Sequence, residues 1–182
     1  ERAARSDPDG AREGWLKWRG KLSASERAWG NARLAYHASR QLAPWANDAW
    51  REPLPEAMTA DMHAWRVRAA LRARAWKDAG AAIEAMPRAQ ADEPAWRFWR
   101  ARAAMAAGRE DEARAAFVAL SGEHDFYGLL AAEAAVATAE KDVDEGRARQ
   151  QLLLAQQREA EADHVRSAEE SARGQELLEE VD

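Results

Sequence analysis

Apolar positions along this chain recur with the period of a helix and almost nowhere with the period of a strand. Ser25 is placed to cap a helix beginning at Glu26. In that helix Ala32, Ala35, Tyr36 and Ser39 fall at i, i+3, i+4 and i+7, with Leu34, Ala38 and Leu42 beside them. Pro44 ends the pattern, and Pro53 and Pro55 mark a further break. Thr59 or Asp61 opens the next helix, through Trp65, Ala69, Leu71 and Arg72, and a shorter partner runs from Trp76 to Met86, before Pro87. Pro94 stands at the favoured first position of a helix lined by Trp96, Trp99, Ala103 and Ala106 and closed by Gly108. Glu110 to Leu120 follows, with Ala113, Ala116, Phe117 and Leu120 in register; Gly122 interrupts, and Phe126 starts another helix. Residues 1–14, with the turn signal Asp7-Pro8-Asp9-Gly10, read as a loose lead-in.

The segments Trp65–Met86 and Trp96–Leu120 look alike: a Trp- and Arg-bearing opening helix, a turn, then a shorter alanine-rich helix. A hairpin of this kind buries its face only against a neighbour, so the expected fold is all-α, an α-solenoid or superhelical array of helical hairpins, tetratricopeptide-like and right-handed. Gly108-Arg109-Glu110-Asp111-Glu112-Ala113 matches the turn of a tetratricopeptide hairpin without the full repeat pattern. The array is expected over residues 1–135, with a separate Ala/Glu-rich helical segment over 136–182. In that tail the apolar residues cluster at Leu152–Leu154 and Leu177–Leu178 with Val165 between, and no a/d heptad persists. It reads as a helix packing through its ends, or as an arm able to self-associate, with its end near Asp182 frayed.

Composition supports helix: alanine supplies much of the 47% hydrophobic fraction in a chain of 182 residues, and β-branched residues are sparse. Nine tryptophans against two tyrosines and three phenylalanines suit alanine-lined helices whose gaps are filled by large rings. With no cysteine, disulfides, thiolate catalysis and cysteine-ligated metals are excluded. No apolar run reaches the ~20 residues that span a bilayer, and the polar start at Glu1–Gly14 is no signal peptide, which fits a mature, processed chain. Charge is uneven: residues 1–130 carry 21 Lys/Arg against 18 Asp/Glu, and residues 131–182 carry 6 against 14. An acidic tail argues against nucleic acid, whose phosphates it would repel. The basic run Arg66, Arg68, Arg72 and Arg74 reads as a solvated helix face.

Site chemistry is thin. His37, His63, His124 and His164 are scattered, so packing or surface roles are expected rather than metal ligation. Asp142-x-Asp144-x-Gly146 hints at a calcium loop but has its glycine one position early and no closing glutamate. No catalytic, cofactor-binding or metal residue is assigned. Among the tryptophans, Trp65, Trp76, Trp96 and Trp99 are expected in the core, while Trp15, Trp18, Trp45 and Trp50 are left open between core and interface rings able to stack on sugar.

One family resemblance rests on residues 94–133, above all Trp96-Arg97-Phe98-Trp99-Arg100-Ala101-Arg102 and Phe126-Tyr127-Gly128 with Leu130-Ala131-Ala132. Upstream, Arg33-Leu34-Ala35-Tyr36-His37-Ala38, Trp65-Arg66-Val67-Arg68-Ala69-Ala70-Leu71, Trp76 and Ala85-Met86-Pro87 continue it. Over about 26–135 the chain resembles the α-superhelix of bacterial soluble lytic transglycosylases. The resemblance implies a periplasmic setting, peptidoglycan strands or another protein as partner, and, in the whole family, cleavage that leaves a 1,6-anhydromuramoyl end. It also implies a lysozyme-like catalytic domain starting at a Glu-Ser pair followed by Gly-Leu-Met-Gln. Glu170-Ser171 is the one Glu-Ser pair here, and Ala172-Arg173-Gly174-Gln175 does not continue the motif. The expected role is therefore a non-catalytic scaffold or interaction domain, inactive alone. A fragment of an active murein lyase whose catalytic domain lies outside the chain, and an engineered or partner-binding repeat without a glycan role, are the alternatives.

Overall fold

A computed structural model describes residues 2–179 of the chain, with side chains described from Ala3 to Glu161. Its helices are α1 (Arg2–Ser6), α2 (Pro8–Trp18), α3 (Ala24–Arg40), α4 (Ala46–Ala49), α5 (Ala60–Arg72), α6 (Trp76–Glu84), α7 (Arg88–Ala91), α8 (Pro94–Ala106), α9 (Glu110–Ser121) and α10 (Phe126–Glu179). No strand occurs among the described residues, and the all-α expectation holds. Two compact units divide the chain, residues 1–135 and 136–182; the opening turns of α10 belong to the first and the rest to the second.

In the first unit each helix packs on its neighbours in order: α3 on α4 and α5, α5 on α6, α6 on α8, α8 on α9. Three apolar clusters follow that order. The first joins Ala32, Ala35 and Ala38 of α3 to Trp50, Met62 and Ala69. The second joins Val67 to Ala82, Ile83 and Trp96. The third gathers Phe98, Ala104, Phe117, Leu120 and Ala131. Alanine on the contact faces lets helix backbones approach closely, and the few large rings fill what remains.

Helix ends repeat as the cores do. After α3, α5 and α8 the chain turns through a residue of positive φ: Leu42 (57°), Arg74 (53°) and Gly108 (76°). Each turn is closed by the same pair of bonds, such as Ala43 N to Ala38 O (2.9 Å) with Leu42 N to Ser39 O (3.1 Å), and Ala75 N to Ala70 O (2.9 Å) with Arg74 N to Leu71 O (3.0 Å). This is the Schellman closure, which satisfies the last carbonyls of a helix. The turns lie 32 and 34 residues apart, close to the 34-residue spacing of tetratricopeptide hairpins.

Several expectations need correction. Residues 1–14 are helical, because Asp7 acts as an N-cap accepting from Gly10 N (2.9 Å) with Pro8 at the first helical position. The cap of α3 is Ser23 rather than Ser25, and it forms a capping box with Glu26. Leu42 leaves the packed stripe, because its turn geometry points it outward at 49% exposure. Ala106 is exposed as well. In the second unit Val136, Val143 and Leu152–Leu154 are exposed, while the side chains of Val165, Leu177 and Leu178 and the end at Asp182 lie outside the described residues. Asp142, Asp144 and Gly146 sit within α10, where a continuous helix cannot wrap an ion. None of the helices, searched over the described residues, is long and apolar enough to cross a membrane.

Candidate ligand-binding grooves

Two grooves of similar size flank the short helix α4. The first, of about 470 Å³, lies between the end of α3, α4 and one face of α5 and is lined by Ser39, Ala43, Asn47, Trp65, Arg68 and Arg72, among others. Its floor is alanine, since Ala43, Ala46 and Ala69 are buried. Trp65 is half-buried, not a core ring, and the Arg68 guanidinium sits 5.1 Å from its centroid and 5.7 Å from that of Trp96. Stacking of this kind holds a guanidinium in place and leaves its N–H edge available.

The second groove, of about 450 Å³, lies between α4, the segment that follows it, α5 and α6, with Asn47, Arg51, Arg66 and Asp78 on its walls. Asp78 is its centre. One carboxylate oxygen accepts from Asn47 Nδ2 (2.8 Å), Arg51 Nε (3.0 Å) and Arg51 Nη2 (2.8 Å). Burial pushes the Asp78 carboxyl up, but these hydrogen bonds and the charges of Arg51 and Arg66 outweigh it and hold its pKa below the ordinary carboxylate range. Bonding to Asp78 raises the Arg51 guanidinium in turn. Arg66 departs from the expected solvated face: it is half-buried, and burial pushes its guanidinium down, against the pull of Asp78.

The remaining tryptophans sort by their polar handle. Trp50 is buried (3% exposed) and its indole N–H donates to Ser39 Oγ at 2.8 Å, so it is core. Trp96 is buried as expected, whereas Trp76 and Trp99 are half-buried, Trp99 because it bridges the second and third clusters at their edge. Trp15 and Trp45 are half-buried and tied to Asn31 (2.9 Å) and Asp9 (2.6 Å). Trp18 (61%) and Trp29 (41%) are exposed, and sequence reasoning had not singled out Trp29.

His37 and His63 are buried, and His124 is exposed. Burial, helped by the charge of Arg66, holds the His63 imidazole below its ordinary pKa and favours its neutral form. Glu170 and Ser171 fall within α10, but their side chains, like that of His164, lie outside the described residues. Among the described residues no His, Cys, Asp and Glu group has a metal-holding arrangement.

No protein-family model and no curated protein matches the chain. A solved structure does: that of an inactive mutant of the lytic transglycosylase Slt from Pseudomonas aeruginosa, with a TM-score of 0.62 and 28% sequence identity. The match covers 72% of this chain and 22% of that one, so this chain spans under a quarter of its length. The chain is thus distantly related in structure to a lytic transglycosylase.

Proposed function

We propose that the chain is a non-catalytic scaffold and interaction domain of the lytic transglycosylase kind, working in the periplasm and holding peptidoglycan strands. The likeness to Slt, 28% identical over 72% of the chain, is the observation that carries this reading. The grooves beside α4 add to it. Planar polar side chains over an alanine floor, with a Trp65–Arg68 stack at one wall, suit a ligand that alternates amide, hydroxyl and apolar faces. The test is co-sedimentation with purified sacculi, followed by chromatography of the supernatant. Retention without 1,6-anhydromuropeptides is expected; failure to bind sacculi sinks the reading.

A second reading has its own support. The exposed Val143 and Leu152–Leu154 on the long α10 make the second unit an arm able to self-associate or to take a protein partner. Light scattering after size exclusion decides whether the chain pairs with itself, and an unchanged mass after Leu153→Glu removes the self-association form.

A further inference from the structure

The groove at Arg66 holds a charge that feels Asp78 across the groove but that no wall residue meets with a hydrogen bond or ion pair. The other ions on its walls are matched by contact: Asp78 with Arg51 and Asn47, and Glu52 with Arg19 (3.1 Å). Among the described residues Arg66 makes no hydrogen bond and no ion pair, although it lines the same groove. A fully solvated arginine without a contact partner is ordinary; a half-buried one in a groove is not, because partial loss of water costs an ion free energy that a partner returns. Arg66 is the arginine that burial pushes below its ordinary value, whereas Arg51 beside it is raised by its carboxylate.

We propose that this groove binds a carboxylate-bearing ligand, with Arg66 as its anchor through the guanidinium fork. A planar guanidinium meets a carboxylate through two parallel N–H···O bonds, which suits a bidentate monoanion. Charge argues for one negative charge rather than two. Asp78 lies on the same walls and opposes a second, so a phosphate dianion is disfavoured. Leu54, Ala70 and Ala81 offer an apolar wall, and the amide of Asn47 and the carboxylate of Asp78 are acceptors for an N–H or hydroxyl next to the ligand carboxylate. A volume of about 450 Å³ holds one such residue, either the end of a short peptide or an acidic sugar. This deepens the scaffold reading, on which it rests for its ligand, by naming the group recognised.

The experiment is an NMR titration of the full chain, read at the Arg66 Nε–H and Trp50 indole N–H signals. The probes are N-acetyl-D-alanine, its amide, N-acetylmuramic acid and N-acetylglucosamine. Saturable shifts with a carboxylate probe and none with the amide or the neutral sugar are expected. N-acetyl-D-alanine alone identifies a peptide carboxylate as the source, and N-acetylmuramic acid alone an acidic sugar. Arg66→Gln should weaken binding by about tenfold or more, the loss expected when a charged hydrogen-bonding partner goes. Arg88→Gln, an exposed arginine on α7 outside both grooves, should not change it. Arg66→Lys keeps the charge without the fork and should fall between them, which keeps the proposal testable if Arg66→Gln unfolds. Equal responses to acid and amide, or a folded Arg66→Gln that binds like the parent, overturn the proposal. Sacculi run in parallel separate the two readings: retention without carboxylate discrimination removes the Arg66 site and leaves the scaffold, and discrimination without retention does the reverse.

Discussion

Trp50 and Trp18 carry the same side chain and do opposite work. Trp50 is sealed in the first cluster with its N–H on Ser39 Oγ, so Trp50→Ala leaves a cavity and strands a hydroxyl acceptor; a loss of about 3–5 kcal/mol is expected in urea titration. Trp18 is 61% exposed beneath the Lys21 ammonium, 4.2 Å from its ring centroid, and Trp18→Ala should change stability by under about 0.5 kcal/mol. Nothing local in sequence separates the two, since both stand near turns; what differs is that Trp50 faces α3 and α5, a tertiary fact. His63 carries a second residue-scale prediction. It is buried and favours its neutral form, with a folded pKa below the unfolded value of about 6.5. The unfolded chain therefore takes the proton more readily, so stability is full above about pH 6.5 and falls as pH drops below it. Melting temperatures from pH 7.5 to 5 should decline, and His63→Leu should flatten the decline, because the carboxylates held low, Glu26 and Asp78, titrate at more acid pH.

At the scale of elements, helix ends were more informative than helix faces. Arg74 pays for a left-handed backbone that Gly108 adopts freely at the equivalent turn, a difference of about 1 kcal/mol for residues with a Cβ. Arg74→Gly should raise stability by about that amount, a few degrees in melting temperature, and an unchanged or lower value would mean that the exposed side chain contributes more than the turn costs. Gly128 is the opposite case. A Cβ there would lie 2.0 Å from the Glu123 carbonyl oxygen, backbone that cannot swing away, so Gly128→Ala should cost about 1–3 kcal/mol and loosen the α9–α10 turn. That close approach, capped by Asp125 on Gly128 N at 2.8 Å, gives a physical reason for the Phe126-Tyr127-Gly128 signature. The helix pairs from Thr59 to Leu120 were legible because Pro, Gly and cap residues bracket strong 3.6-residue periodicity. Residues 1–14 were not, because Asp-Pro-x-Gly is at once a turn signal and a helix start; the choice depends on whether Asp7 caps Gly10, which composition does not reveal.

At the scale of the whole molecule, the groove was almost illegible in the sequence. Asn47, Arg51, Arg66 and Asp78 lie on α4, the segment after it, α5 and α6, share no motif, and meet only because successive hairpins stack. In the sequence Arg66 stands out only within a basic run and within the segment Trp65–Leu71, neither of which marks it as a groove residue. The compact unit ending at Ala135 should unfold cooperatively on its own: a chain cut after Ala135 is expected to keep a melting temperature within about 5 °C of the parent, since the three clusters lie within it. A broad, early transition would show that the second unit contributes to that fold. The last expectation concerns catalysis. Glycan cleavage needs a carboxylic acid whose pKa is raised enough to give up a proton near neutrality, which requires apolar burial without cationic or hydrogen-bonding support. The described carboxyls that depart from ordinary values, Glu26 and Asp78, are both held down by such support. They are fitted to hold helices and an arginine, not to protonate a leaving group. Incubated with sacculi, the chain should release no 1,6-anhydromuropeptides; product that disappears with Glu170→Gln would make Glu170 an acid after all, and product that survives that substitution would point to a different carboxyl.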